Sequence, residues 1–99
     1  MASYRSEAID RLLKVILALE TPEECAAFFD DICTIKELQD MSQRLEVALL
    51  LEQGLNYQEI SARTTVSTAT ISRVSKCLNY GSGGYRAAIE RLKADGEEA

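Results

Sequence analysis

Ninety-nine residues suit one small domain, and an apolar share of 46% with few aromatics favours helices packed around a modest core. A formal net charge of −5 argues, taken alone, against a nucleic-acid partner, and the absence of histidine leaves Cys25, Cys33 and Cys77, scattered without a CxxC spacing, as a poor metal-ligand set. No metal or cofactor is therefore expected; the thiols read as buried and free in a reducing cytosol. No apolar run approaches ~20 residues and Glu7 and Asp10 interrupt the N-terminus, so neither a membrane span nor a signal peptide is predicted and the expected location is cytoplasmic.

The first helix is predicted from about Ser6 to Leu19, where Ile9, Leu12, Leu13, Ile16 and Leu17 recur at three- and four-residue spacing. Val15 and Leu19 widen that face, and a helix so apolar calls for more than one packing partner. "TPEE" starts the second helix: Thr21 caps, Pro22 fits the first helical position, and Glu24 completes a capping box. It carries Ala26, Phe28, Phe29 and Ile32. "TIKE" repeats the device for a third helix running to about Gln53, with Thr34 as cap and Glu37 reaching back. Leu38, Met41, Leu45, Ala48 and Leu49 form its expected stripe, and Gly54 is placed as a C-terminal cap.

Asn56 and Glu59 frame a short helix near Tyr57 to Arg63, and Ser67 caps another near Thr68 to Asn79. "YGSGGY" is a glycine-rich break, and a last helix is predicted from Tyr85 to Ala94 with Ala88, Ile89 and Leu92 inward. The tail "DGEEA" is charged and reads as frayed.

Two short helices with a tight turn between Tyr57 and Arg73 can place the second helix in a DNA major groove. Ile60, Val66, Ile71, Val74 and Leu78 fall at core spacing, which leaves Thr68, Ala69, Ser72, Arg73 and Lys76 on other faces. Short side chains near a helix N-terminus allow close approach to base edges, where methyls meet thymine and hydroxyls bond directly or through water. From Ile60 to Ile89 there is no Asp or Glu, only Arg63, Arg73, Lys76 and Arg86. Phosphates repel carboxylates, so a surface facing DNA has reason to be cleared of them. The expected DNA-binding set is Arg63, Ser67, Thr68, Ala69, Thr70, Ser72, Arg73, Lys76 and Arg86, with double-stranded DNA as partner. The turn has Thr65 where such motifs commonly have glycine.

The run "MSQRLEVALLLEQGLNYQEISARTTVSTATISRVSKCLNYGSGGY", Met41 to Tyr85, resembles the Trp repressor superfamily, and "TISR" followed by "CLNYGSGGY" resembles its YerC/YecD branch. The resemblance extends over nearly the whole chain. It implies an all-α, six-helix fold, an intertwined homodimer, and operator binding by paired helix–turn–helix units of a bacterial transcriptional regulator, most simply a repressor. One domain then covers 1–99, with 6–54 as dimerisation scaffold, 56–79 as helix–turn–helix and 85–94 as C-terminal helix. The apolar load of the first three helices also favours a dimer, since exposed it forms a large patch. Leu12, Leu13, Ile16, Phe28, Phe29, Leu45 and Leu49 are candidates for a shared core or, equally, for an intramolecular one.

The resemblance also implies an effector pocket. The two arginines that hold the family's amino-acid corepressor match Arg44 and Arg73, and a threonine that the partner subunit contributes to the pocket matches Thr34. A glycine of tryptophan-binding members is Val74 here, a serine is Cys77, and apolar positions before the threonine are Asp31 and Cys33. These departures make tryptophan an unfavourable ligand; any other effector is left unknown. For Arg44, ligand or phosphate contact and a plain solvated or salt-bridged residue stand level. A rival reading of the whole chain is a helical dimeric protein-interaction module with a degenerate helix–turn–helix. Catalysis finds little support: no histidine base exists, Glu23/Glu24 and Asp30/Asp31 read as helix-end solvation, and "GSGG" lacks the Lys-Ser/Thr of a phosphate loop.

Overall fold

The structure, a computed structural model, describes residues 5–96. It is all-α: α1 (Glu7–Ala18), α2 (Pro22–Ile32), α3 (Ile35–Glu52), α4 (Tyr57–Thr64), α5 (Thr68–Tyr80) and α6 (Gly84–Ala94). The described residues divide into two compact units, one up to Leu38 and one from Gln39.

Local capping chemistry sets the helix starts. Ser6 accepts from the Ile9 N–H at 3.2 Å, and Thr21 from the Glu24 N–H at 3.0 Å, with Pro22 in the first turn. Thr34 and Glu37 form a full capping box: the Thr34 N–H donates to Glu37 Oε1 at 2.8 Å and the Glu37 N–H to Thr34 Oγ1 at 3.1 Å. The box expected at α2 is displaced. Glu24 accepts from the Glu20 N–H at 2.9 Å, one residue before the cap.

α3 ends in a Schellman turn. The Leu55 N–H donates to the Leu50 carbonyl and the Gly54 N–H to the Leu51 carbonyl, with Gly54 at φ +92°, a conformation that disfavours a side chain. Gly81 is required for a different reason: a Cβ there would lie 2.3 Å from the Cys77 carbonyl oxygen, which accepts the Gly81 N–H at the end of α5.

In the first unit no residue of α1 or α2 is buried. Phe28 and Phe29 are half-buried and meet edge to face with centroids 5.5 Å apart. Leu13 is 44% exposed and Leu17 87%. The second unit has its own core of Val47, Ala48, Leu50, Ile60, Val66, Ile71, Val74, Leu78 and Ile89. Three sequence expectations are corrected here. On α3 the buried face holds Val47 and Leu50 beside Ala48, whereas Leu45 and Leu49 are half-buried and Met41 is exposed, because α4–α6 cover a face rotated away from the predicted stripe. The thiols are not buried: Cys25 and Cys77 are exposed and Cys33 half-buried, since α2 buries nothing and Cys77 lies off the Ile71–Val74–Leu78 stripe. On α6, Ile89 is buried and Leu92 half-buried, but Ala88 is exposed.

Candidate nucleic-acid interface

α4, the turn Thr65–Ser67 and α5 form the helix–turn–helix. Asn56 and Glu59 close a capping box at the start of α4, with bonds of 2.8 and 2.9 Å. The turn is built without glycine. Thr65 adopts φ 58°, the left-handed region, which costs a β-branched residue roughly 1–2 kcal/mol. Neighbouring hydroxyls hold it there. Thr64 Oγ1 donates to the Ile60 carbonyl at 2.7 Å and accepts from the Val66 N–H at 3.2 Å, while Ser61 donates to the Val66 carbonyl at 3.3 Å. Val66, 8% exposed, plugs the core beneath the turn.

Ser67 caps α5, accepting from the Thr70 N–H at 3.2 Å and donating to the Thr70 hydroxyl at 3.1 Å. Ile71, Val74 and Leu78 point into the core, so Thr68, Ala69, Ser72, Arg73 and Lys76 form an exposed face about two turns long. Arg63 is exposed at the end of α4. Short side chains of α5 therefore share the exposed surface with three cations, while Asp40 of α3 lines the cleft beside the α5 start. Thr70 is half-buried, and both it and Ser67 are engaged in the cap, which makes them supports of the turn as much as contacts.

Arg86 stands apart from the other three cations. Its Nη1 lies 2.5 Å from Glu52 Oε1, and Nη2 donates to Asn79 Oδ1 at 3.3 Å. The expectation that it is free for phosphate meets a carboxylate instead. Lys93 adds a 3.4 Å bond to Glu52 Oε2. The Arg86 hydrogen bond, above all, holds the Glu52 carboxyl below the usual carboxylate range; partial desolvation opposes this and Lys93 reinforces it. Nothing in the sequence pointed to Glu52 or Asn79, because their partner lies on another helix.

Within the second unit the expected effector residues have different surroundings. Arg44 is exposed on a polar cleft of about 310 Å³ with Asp40, Gln43, Thr65, Ser67 and Thr70. Val74, 1% exposed, is packed inside the core. Cys77 opens onto an apolar groove of about 490 Å³ beside Leu45, Tyr85 and Ala88. Arg73 is exposed, and Thr34 belongs to the first unit, its hydroxyl engaged as the α3 cap.

The Trp repressor protein family matches residues 7–93 of this chain. The chain belongs to that family. The uncharacterized protein YerC of Bacillus subtilis (strain 168) is 52% identical over 89 residues, covering 90% of this chain and 86% of the relative. The crystal structure of a TrpR like protein from Eubacterium eligens ATCC 27750 superposes with a TM-score of 0.85 at 45% identity, covering 90% of this chain and 92% of that one. A putative Trp repressor from Staphylococcus aureus gives 0.84 at 46%, covering 90% and 89%. The six-helix fold and the YerC-type relationship read from the sequence are thus both found. The Trp repressor family is one of regulatory DNA-binding proteins rather than enzymes, and among the described residues no helix is long and apolar enough to cross a membrane.

Proposed function

We propose that this chain is a sequence-specific DNA-binding transcriptional regulator, a repressor acting in the cytoplasm as a homodimer, whose α5 helices read base edges in adjacent major grooves. The observation that carries the reading is the exposed α5 face: Thr68, Ala69 and Ser72 beside Arg73 and Lys76, inside a run from Ile60 to Ile89 without one Asp or Glu. Short side chains suit base contact, and Arg63, Arg73 and Lys76 suit phosphate neutralisation. Family membership supports the same reading.

Dimerisation is supported by the apolar side chains of 6–54 that the single chain leaves uncovered, among them Leu13, Leu17, Ile32, Ile35 and Met41. Residues 6–54 then form the association scaffold of one domain, 56–79 the reader, and 85–94 the helix that backs it.

Tryptophan is not its corepressor in this reading. A flat ring needs space beside Arg73, and Val74 fills that position within the core. Val74 then does with its own side chain what a ligand does elsewhere: it holds α5 in a binding-ready pose. Genomic footprinting of the bound protein tests the whole proposal. Discrete protected sites, unchanged by added tryptophan, are the expected result; absence of protection at moderate salt favours the interaction-module reading.

A further inference from the structure

We propose that Glu52 is a positioning residue for the recognition helix: through the forked guanidinium of Arg86 it ties the C-terminal end of α5 to the end of α3. The role rests on the DNA-binding reading above.

α5 packs against α4 and α6, and its apolar anchors are Ile71, Val74 and Leu78. Beyond Leu78 no apolar side chain holds the helix: Asn79 is exposed, Tyr80 is 86% exposed, and Gly81 ends it. What engages this last turn is polar. Asn79 Nδ2 donates to the Ser75 carbonyl at 3.0 Å, which orients its Oδ1, and that oxygen accepts from Arg86 Nη2 at 3.3 Å. The other arm of Arg86 holds Glu52. A planar fork serves two acceptors at once; an ammonium offers no such fixed geometry.

Two features mark Glu52 as placed for this duty. It ends α3, where a carboxylate faces the negative end of its own helix, an unfavourable position unless cations compensate. Arg86 and Lys93, two turns apart on α6 with buried Ile89 between them, supply the compensation. Arg86 also has a nearer carboxylate in sequence. Glu90, one turn on, lines the same groove, yet the ion pair of Arg86 runs to Glu52 across 34 positions.

The test is equilibrium binding of the full chain to a duplex recovered by selection, over a range of salt, with amide exchange read in the last turn of α5. Glu52→Gln and Arg86→Lys should each weaken binding by about 3- to 30-fold, with the salt slope unchanged and exchange faster at residues 76–80. Arg86→Lys keeps the charge, so weaker binding there marks geometry rather than phosphate attraction. Wild-type affinity in Arg86→Lys, or tighter binding by Glu52→Gln, overturns the role. So does a salt slope that falls by ~0.9 in Arg86→Gln, the mark of a phosphate that Arg86 itself neutralises. If the wild-type chain binds no duplex at any salt, the DNA reading itself fails and takes this role with it; wild-type binding with unaffected variants removes the role alone.

Discussion

Up to Leu38 the chain carries Leu12, Leu13, Ile16, Phe28 and Phe29, and none of them is buried; from Gln39 on, nine apolar residues reach burial with three helices and the end of a fourth. Both regions are rich in apolar side chains, so composition does not separate them. Geometry does. α4, α5 and α6 are short helices with tight connections that close around Ile60, Ile71 and Ile89, whereas α1 and α2 are amphipathic without a matching surface within their own unit. Each region holds eight of the sixteen carboxylates, so it is their spacing along the chain, not their number, that differs. Acidic pairs such as Glu23/Glu24 and Asp30/Asp31 sit in the first unit, and the acid-free run sits in the second. The proposed dimer accounts for this contrast: the second unit closes its own core, and a second copy would cover the apolar faces that the first unit leaves open.

The strongest way to break this comparison is a cavity in the self-contained region. Ile71→Ala removes a fully buried side chain and should lower stability by about 2–5 kcal/mol in thermal or denaturant unfolding. A loss under ~1 kcal/mol contradicts a core closed within one chain. The complementary probe is Leu13→Glu on α1. Leu13 is 44% exposed in the single chain, so a lasting monomer would tolerate the change within about 0.5 kcal/mol. Buried against a second copy, it should raise the dimer dissociation constant about 100-fold or more, roughly 3 kcal/mol, in sedimentation equilibrium.

Lys76→Glu sharpens the division of charge. It should weaken binding to all duplexes alike and reduce the salt slope by ~0.9 for each phosphate no longer neutralised, whereas Thr68→Ala should change preference among sequences by about 1–3 kcal/mol per affected base pair. Equal effects on all sequences from both substitutions would put Thr68 off the base edges. Thr65→Gly relieves the left-handed strain but adds chain entropy to the unfolded state, so a net gain of about 0.5–1 kcal/mol in stability is expected from unfolding curves.

The smallest effect is the pH dependence of Glu52. Its pKa is lowered in the folded chain, chiefly by Arg86, so its contribution is present above the unfolded carboxylate value and lost as pH falls through the folded one. The stability difference between wild type and Glu52→Gln should therefore shrink on acidification below about pH 4.3. A difference that grows in acid has the wrong sign for this ion pair.

What the sequence revealed depended on range. Caps at Thr21, Thr34, Asn56 and Ser67 are decided within four residues, and each was legible. The Glu24 bond slipped to Glu20 because the path of the chain before the helix is not encoded in the cap spacing. The core of the second unit was legible on α4 and α5, where one periodic stripe exists. On α3 two apolar faces compete, and only the packing of α4–α6 shows that Val47 and Leu50 take the interior. The ion pair of Glu52 with Arg86 spans 34 positions and left no local pattern. Val74 illustrates a conflict between two sequence arguments. Its helical spacing placed it in the core and family resemblance placed it in a pocket; in the single chain the spacing describes its position.

Selection of bound duplexes from a random-sequence pool by the wild-type chain tests the central claim most directly, because it reads the recognition helix and the second copy together. Two related half-sites in inverted repeat, with centres ~34 Å or about one turn of DNA apart, are the predicted result. A pool with no enrichment at moderate salt, or a single unpaired half-site, would contradict the account.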